Sequence, residues 1–314
     1  MVQRLGLTAM PFLFLIIGIS SITSMYIPII NTFSLMHENQ NNANSNPSPL
    51  YITTNSTLLQ QLDLYTLSQS LNDTISELMG IVDASMNGSS SFGNLPLVNV
   101  TTEMKMKYHG IPSDQDMEKR NEAKKLLESN KALLYVGLLL PNGDRYFGEP
   151  YSPYQTNSSN TNFSYRDHFI GALETLQPYL GSTINAVSTG ERLAILANPI
   201  YSDVKNHNSL IGVQVLGLNF TYFKDLIKST MSAEDSSKRF VIVDYNGTEI
   251  ADSLSDHNNM ESFKELQSFQ NARNGESGLL TEKINGTNMI ISYTPIKFAQ
   301  TTWVVLLLSL VTDS

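Results

Sequence analysis

Leu133-Leu134-Tyr135-Val136-Gly137-Leu138-Leu139-Leu140, Pro141-Asn142-Gly143-Asp144, Arg145-Tyr146-Phe147-Gly148 reads as a strand, a turn and a second strand. The same order returns at Phe240 to Asp244, Asn246-Gly247 and Glu249 to Asp252. Each copy is followed by a helical stretch and then a strand ending in Pro-Ile, Ile195 to Ile200 with Pro199 and Met289 to Ile296 with Pro295. Asn142 and Asn246 lie 104 positions apart, and Pro199 and Pro295 lie 96 apart. Two nearly equal offsets predict an α/β module of about 100 residues used twice, since so long a period is one supersecondary unit repeated. Asn-Gly suits both turns, because a tight hairpin needs φ > 0 at its centre and these residues tolerate it best.

Outward from the repeat, the chain changes character several times. Leu5 to Ile30 carries no charged side chain, and a bilayer core needs only about 20 apolar residues in helix. Arg4 precedes this run and no Lys or Arg follows until Lys105, so the positive-inside bias places the N-terminus in the cytoplasm and the remainder outside. An uncleaved anchor accounts for the run better than a cleaved signal peptide, because the run is long for a signal and Ser24-Met25-Tyr26 is a poor cleavage site. Residues 1–36 are therefore expected to be a transmembrane anchor. Residues 37–49, rich in Asn, Gln, Ser and Pro, are expected to be a flexible tether.

A stalk helix is expected within residues 50–94. Leu64, Leu67, Leu71, Ile75, Leu78 and Val82 recur at spacings of three and four, which puts them on one stripe, and the helix should end near Asn87-Gly88. Such a spine would pack along both modules, 95–230 and 238–311. A second helix, Asp114 to Lys131, is mostly charged and reads as a solvated face. Trp303 to Val311 is too short for a second membrane helix and fits the closing strand of the later sheet.

Composition narrows the function. With no cysteine in 314 residues, neither a disulfide framework nor a thiolate metal site is available. A net charge of −9 argues against nucleic acid or anionic lipid as the main partner. Nine Asn-x-Ser/Thr sites, from Asn55 to Asn285, suit an exposed surface protein if the host glycosylates them. The five histidines show no zinc spacing, and Gly275-Glu276-Ser277-Gly278 lacks the form of a nucleophile elbow. Asp252, Asp256 and His257 could meet a cation but read as a solvated loop. No catalytic residue, metal ligand or cofactor is expected, and the chain is not read as an enzyme.

The order of spanning helix, stalk helix, strand and Asn-Gly-Asp turn, followed by Tyr165-Arg166-Asp167-His168-Phe169 opening a helix, resembles the extracellular double Cache sensor domain. The resemblance continues through Ser188-Thr189-Gly190-Glu191, Ala197-Asn198-Pro199-Ile200, Gly212-Val213 and Val243-Asp244-Tyr245-Asn246-Gly247, and covers about residues 50–311. It implies an α+β fold, with two tandem PAS-like antiparallel-sheet modules along one long N-terminal helix. It also implies the sensor role of chemoreceptors and membrane histidine kinases, with a small ligand in the membrane-distal module.

Amino-acid-binding members carry Arg-x-Trp-Tyr where this chain has Arg166-x-His168-Phe169. An arginine fork can hold a carboxylate through two parallel hydrogen bonds. Those members hold the ligand's ammonium with an aspartate whose position, counted from Gly212-Val213, falls at Gly217. With that anchor missing, a small carboxylate or other anion is the expected ligand. The expected ligand-binding set is Tyr146, Tyr165, Arg166, His168, Phe169, Asn198 and Gly217. Arg166 could instead form a surface ion pair with Asp167, and Tyr165 and Phe169 could equally be core. The resemblance further implies membrane attachment through the N-terminal helix, a possible homodimer through the stalk helix, and either a longer receptor of which this chain is a piece or, less favoured, a partner reached through residues 1–36. The competing class is a glycosylated surface or adhesion protein that uses the fold as a scaffold.

Overall fold

The computed structural model describes residues 49–203, 208–231, 237–254 and 261–311. The first described element is helix α1 (Pro49–Met86). Its stripe of Leu64, Leu67, Leu71, Ile75, Leu78 and Val82 is buried, each residue at most 6% exposed. Burying a side chain of this size stabilises by roughly 1.5–3 kcal/mol, so the stripe fixes which side of the helix faces the sheets. Polar contacts order the packing along α1. Near its start Asp63 meets Lys238 at 2.7 Å and Gln60 donates to Ser309, whereas near its end the Val82 carbonyl accepts from Asn198.

Those partners belong to two five-stranded antiparallel sheets. After α2 (Thr102–Tyr108) and α3 (Met117–Ser129), the first sheet is built from β1 (Leu133–Leu139), β2 (Arg145–Glu149), β3 (Tyr179–Leu180), β6 (Ile195–Asp203) and β7 (Asn208–Leu218). Helix α4 (Asp167–Thr175) and a small hairpin of β4 (Ile184–Asn185) and β5 (Arg192–Leu193) interrupt it. Helix α5 (Phe220–Thr230) leads to the second sheet: β8 (Lys238–Val243), β9 (Glu249–Asp252), β10 (Gly278–Ile284), β11 (Thr287–Phe298) and β12 (Thr301–Leu310), with α6 (Gln267–Arg273) on one face. From each Asn-Gly hairpin outward the strands follow the same path, β2-β1-β7-β6-β3 in the first sheet and β9-β8-β12-β11-β10 in the second. One apolar core lies between α1 and the sheets, and a smaller one lies on the opposite face of each sheet.

Three expectations need adjustment. In both hairpins only the glycine takes φ > 0, +83° at Gly143 and +82° at Gly247. Each turn is closed three residues back, Gly143 N–H to the Leu140 carbonyl and Gly247 N–H to the Asp244 carbonyl, and each is followed by a register shift in the ladder. This is a turn with a glycine bulge, in which the asparagine keeps an ordinary φ. Second, α3 is no simple solvated face. Arg120 is fully buried, 2.6 Å from Glu149 and bonded to the carbonyls of Ile111, Pro112 and Gln115. Third, β12 lies at the centre of its sheet, between β11 and β8, which is why its apolar run is unbroken. The expected anchor and most of the tether lie outside the described residues. Among the described residues no helix is long and apolar enough to cross a membrane.

Candidate functional site

Strand alternation decides which residues of the first sheet can meet a ligand. On β6 and β7 the two-residue period turns Leu196, Asn198, Gln214 and Leu216 one way and Ile195, Ala197, Val213 and Val215 the other. Leu196 and Leu216 join the core beside α1, while the second set forms the face away from it. On that outer face is a cavity of about 70 Å³, enough for several waters and so for a ligand of a few heavy atoms. Its floor is Tyr135, Leu139, Ile195 and Val215. The β4–β5 hairpin covers it with Ile184, Ala186, Val187, Ser188 and Leu193, and Arg145, Tyr154, Phe163, Arg166 and His168 close the sides.

The local sequence explains how the polar side is held. Arg166 is the extended residue before α4 and Asp167 opens its first turn, where a carboxylate favours the positive end of the helix. The Asp167 carboxylate accepts the Ser182 amide at 2.7 Å and the Ser182 hydroxyl at 2.5 Å, and so ties the covering hairpin to α4. Burial would push the Asp167 carboxyl up, but the neighbouring His168 imidazole and the hydrogen bonds from Ser182 outweigh it and hold the group well below the usual carboxylate range. His168, 4% exposed, has Nδ1 3.7 Å from Asp167, near enough for charge attraction and too far for a hydrogen bond. Burial pushes the imidazole down, against the pull of Asp167, and favours its neutral form.

Arg145 is fixed by the Gln155 carbonyl at 3.3 Å and the Ser158 hydroxyl at 3.1 Å, with Phe163 stacked 4.8 Å from its guanidinium carbon. Arg166 lies 5.1 Å from the Tyr165 ring. In both arginines Nε is buried without a hydrogen-bond partner, as is Nδ1 of His168. An arginine Nε–H can only donate, and a buried donor left unpaired costs about 1–3 kcal/mol. Two such donors and a histidine nitrogen that can donate in one tautomer, around one small cavity with no acidic side chain among the described residues of its lining, suit a ligand that brings hydrogen-bond acceptors and negative charge.

Of the residues expected from sequence, Arg166 and His168 line this cavity. Phe169 is buried in the adjoining apolar cluster, and Gly217 lies in β7 beside Tyr135 on the cavity face. Tyr165 is 57% exposed and accepts from Asn160. Tyr146 and Asn198 sit on the opposite face of the sheet: Tyr146 donates to Asp116 and accepts from the Val98 amide, and Asn198 bonds to Gln214 and Val82. The strand period that brings in Arg145 and Ile195 turns these two away. Sequence reading missed Tyr135, Arg145, Tyr154, Phe163 and the hairpin residues. Arg145 did leave a signal, a charge at the head of a strand whose next three residues, Tyr146, Phe147 and Gly148, are uncharged.

In the second module Glu249, Asp252 and Glu261 bring carboxylate oxygens within 4.8 Å of one another. Arg239 already bridges two of them, at 2.6 Å from Asp252 and 2.5 Å from Glu261, and supplies the positive charge a cation would bring. Asp256 and His257 lie outside the described residues.

The Cache domain family model matches residues 51–309. No curated protein sequence matches the chain. Among solved structures, the ligand-binding domain of the Pseudomonas aeruginosa amino acid chemoreceptor PctC, in complex with GABA, is 14% identical with a TM-score of 0.55, over 81% of this chain and 98% of that one. The periplasmic sensory domain of the Campylobacter jejuni chemoreceptor Tlp1 is 16% identical with a TM-score of 0.58, over 82% and 96%. An extracellular ligand-binding receptor from Desulfohalobium retbaense is 16% identical with a TM-score of 0.58 over 79% of this chain, which spans 40% of that receptor's length. At these identities the likeness is one of fold. With the family match over most of its length and two sheets of identical strand path along one helix, this chain belongs to the Cache domain family, in its double-module form.

Proposed function

We propose that this chain is the extracytoplasmic sensor domain of a transmembrane signal-transduction receptor, of chemoreceptor or histidine kinase type, and that its first module takes a small carboxylate or other small anion. In this reading residues 95–230 form the membrane-distal module, 238–311 the proximal one, and the uncharged run from Leu5 to Ile30 the anchor. The observation that carries the ligand class is the set of three unpartnered buried nitrogens, on Arg145, Arg166 and His168, around a cavity without an acidic lining residue. PctC and PctB are solved with GABA, L-Gln and L-Arg. An amino acid's ammonium has no acidic side chain to meet in this lining, so the reading favours an acid without an amino group. A scaffold that took no ligand would gain more from filling this space with apolar side chains than from burying two guanidiniums beside it.

Signal transfer has a physical route in this reading. The covering hairpin and α4 are bonded to the second module: Thr183 N–H donates to Asp244 at 3.1 Å, Tyr245 donates to Asp167 at 3.2 Å, and Arg192 donates to the Glu249 carbonyl. Leu59 and Leu62, 57% and 58% exposed and three residues apart on α1, offer an apolar strip for the expected homodimer. The test is a thermal-shift screen of the full chain against carboxylates, their amine counterparts and amino acids. A ligand at about 100 times its Kd stabilises by roughly 2.7 kcal/mol, a shift of roughly 5–10 °C for a domain of this size. Stabilisation by amines and not by acids would overturn the anion reading. Protease added to intact cells should remove the domain and leave a membrane stub, and full protection would overturn the topology.

A further inference from the structure

Tyr135 lies in the cavity floor on a bed of glycines. A Cβ at Gly137, two residues along the same strand, would fall on the Tyr135 hydroxyl. At Gly148, the cross-strand partner of Gly137, it would fall 2.7 Å from the ring edge and from the hydroxyl. At Gly217, paired with Tyr135 on the other side, it would fall 2.8 Å from the Tyr135 Cβ. The ring therefore runs along the sheet over Gly137 and Gly148 and does not stand up into the cavity. None of these three glycines has a positive φ, so their dihedral angles do not demand glycine, although at Gly137 a Cβ would also meet the Phe147 carbonyl oxygen at 2.8 Å. What they share is the space taken by one tyrosine. At Gly148 the three nearest atoms are all Tyr135 side-chain atoms. The ring also meets Tyr154, centroids 5.3 Å apart, and so closes the floor between β1 and the turn after β2.

We infer that Tyr135, laid flat by Gly137, Gly148 and Gly217, is the specificity-determining residue that sets how long a ligand the cavity accepts: a short acid, with its head at Arg145, Arg166 and His168 and its tail among Ile184, Leu193 and Val215. The inference rests on the carboxylate reading proposed above. Apart from Ser188 the rest of the floor and cover is aliphatic, and so suits an unsubstituted tail.

The test uses the full chain and straight-chain acids from acetate to octanoate, with affinity measured by calorimetry. In the unaltered protein affinity rises over the first members and then falls once the tail outgrows the space above the ring. Tyr135→Leu removes the ring atoms over Gly148 and moves the optimum to longer acids, with about fourfold gained per added buried methylene. Gly148→Ala lifts the ring into the cavity and weakens the short acids at least tenfold. In the Tyr135→Leu background the same alanine has none of those ring atoms to strike, and the loss disappears. An unchanged length preference in a cooperatively melting Tyr135→Leu protein would overturn the inference, as would an equal loss from Gly148→Ala in both backgrounds. Should Tyr135→Leu fail to fold, Gly148→Ala alone decides, since unweakened binding of short acids refutes the bed of glycines. Absence of binding by any acid to any variant is a different pattern, which removes the carboxylate reading and this inference with it.

Discussion

Arg166→Ala separates a ligand-holding arginine from a surface ion pair, because its side chain has almost no other work. Arg166 lies over the exposed ring of Tyr165, its Nε lacks a partner, and the adjacent acid in sequence, Asp167, is already committed to Ser182 and Tyr245. Truncation should therefore leave the ligand-free fold no less stable, since it removes a half-buried side chain whose Nε donor is unpaired. A charge-assisted hydrogen bond to a bound carboxylate contributes roughly 1.5–3 kcal/mol, so affinity should fall by about one to two orders of magnitude. Arg145→Ala should behave differently. Arg145 is 5% exposed and fills the hydrogen-bonding needs of the Gln155 carbonyl and Ser158, so its loss should lower stability as well as affinity. Calorimetric titration with a short carboxylate, paired with thermal melts of both variants, reads the two effects apart. A folded Arg166→Ala protein with Kd within twofold of the original would refute the reasoning and place the guanidinium outside the site.

Three further outcomes are expected. His168 titrates below its ordinary value of 6.5 when folded, so the unfolded chain binds more protons between that value and the folded one. Stability should fall as pH drops through 6.5 and level off below the folded pKa. His168→Gln should flatten this part of a Tm-against-pH curve, and a bound carboxylate, which favours the imidazolium, should shrink its slope. Glu149→Ala strands Arg120 as a buried unpaired cation and should cost about 3–5 kcal/mol in denaturant melts, and a cost under 1 kcal/mol would mean that the carbonyls around Arg120 suffice. Asp244→Asn keeps the oxygen that caps the Asn246 and Thr248 amides but turns an NH2 toward the Thr183 amide. Ligand binding should then no longer protect β8–β9 amides from hydrogen exchange, and unchanged protection would place the coupling elsewhere.

The fold was legible because its determinants are local. The six apolar residues of α1 lie at helical spacing, and each Asn-Gly pair sits between strands, so repeat and spine both leave a mark within a few dozen residues. The internal offsets survive in the structure because the two glycines do the same thing in each copy. Both take positive φ, and both pack against the chain that precedes the following helix, at Ser164 in the first module and Lys264 in the second. What misled was chemistry decided at a distance. The charged run over Met117–Ser129 looks solvated until Glu149, 29 residues away in sequence, is placed beside Arg120.

The site was half legible for the same reason. Arg166 and His168 announce themselves at the start of a helix, but Tyr146 and Asn198 depend on which face of the sheet their strands present. A shift of one residue in register exchanges those faces, and both hairpins carry such a shift beside the glycine bulge. Gly217 carries the sharper lesson. Read from sequence it is the place where an ammonium anchor is missing. In the structure a side chain there would strike Tyr135 Cβ at 2.8 Å, so an aspartate could enter only if the tyrosine moved. The absent acid and the recumbent ring are thus two sides of one packing decision, and under the reading proposed above a cavity without that acid keeps its arginines for ligands that carry negative charge alone.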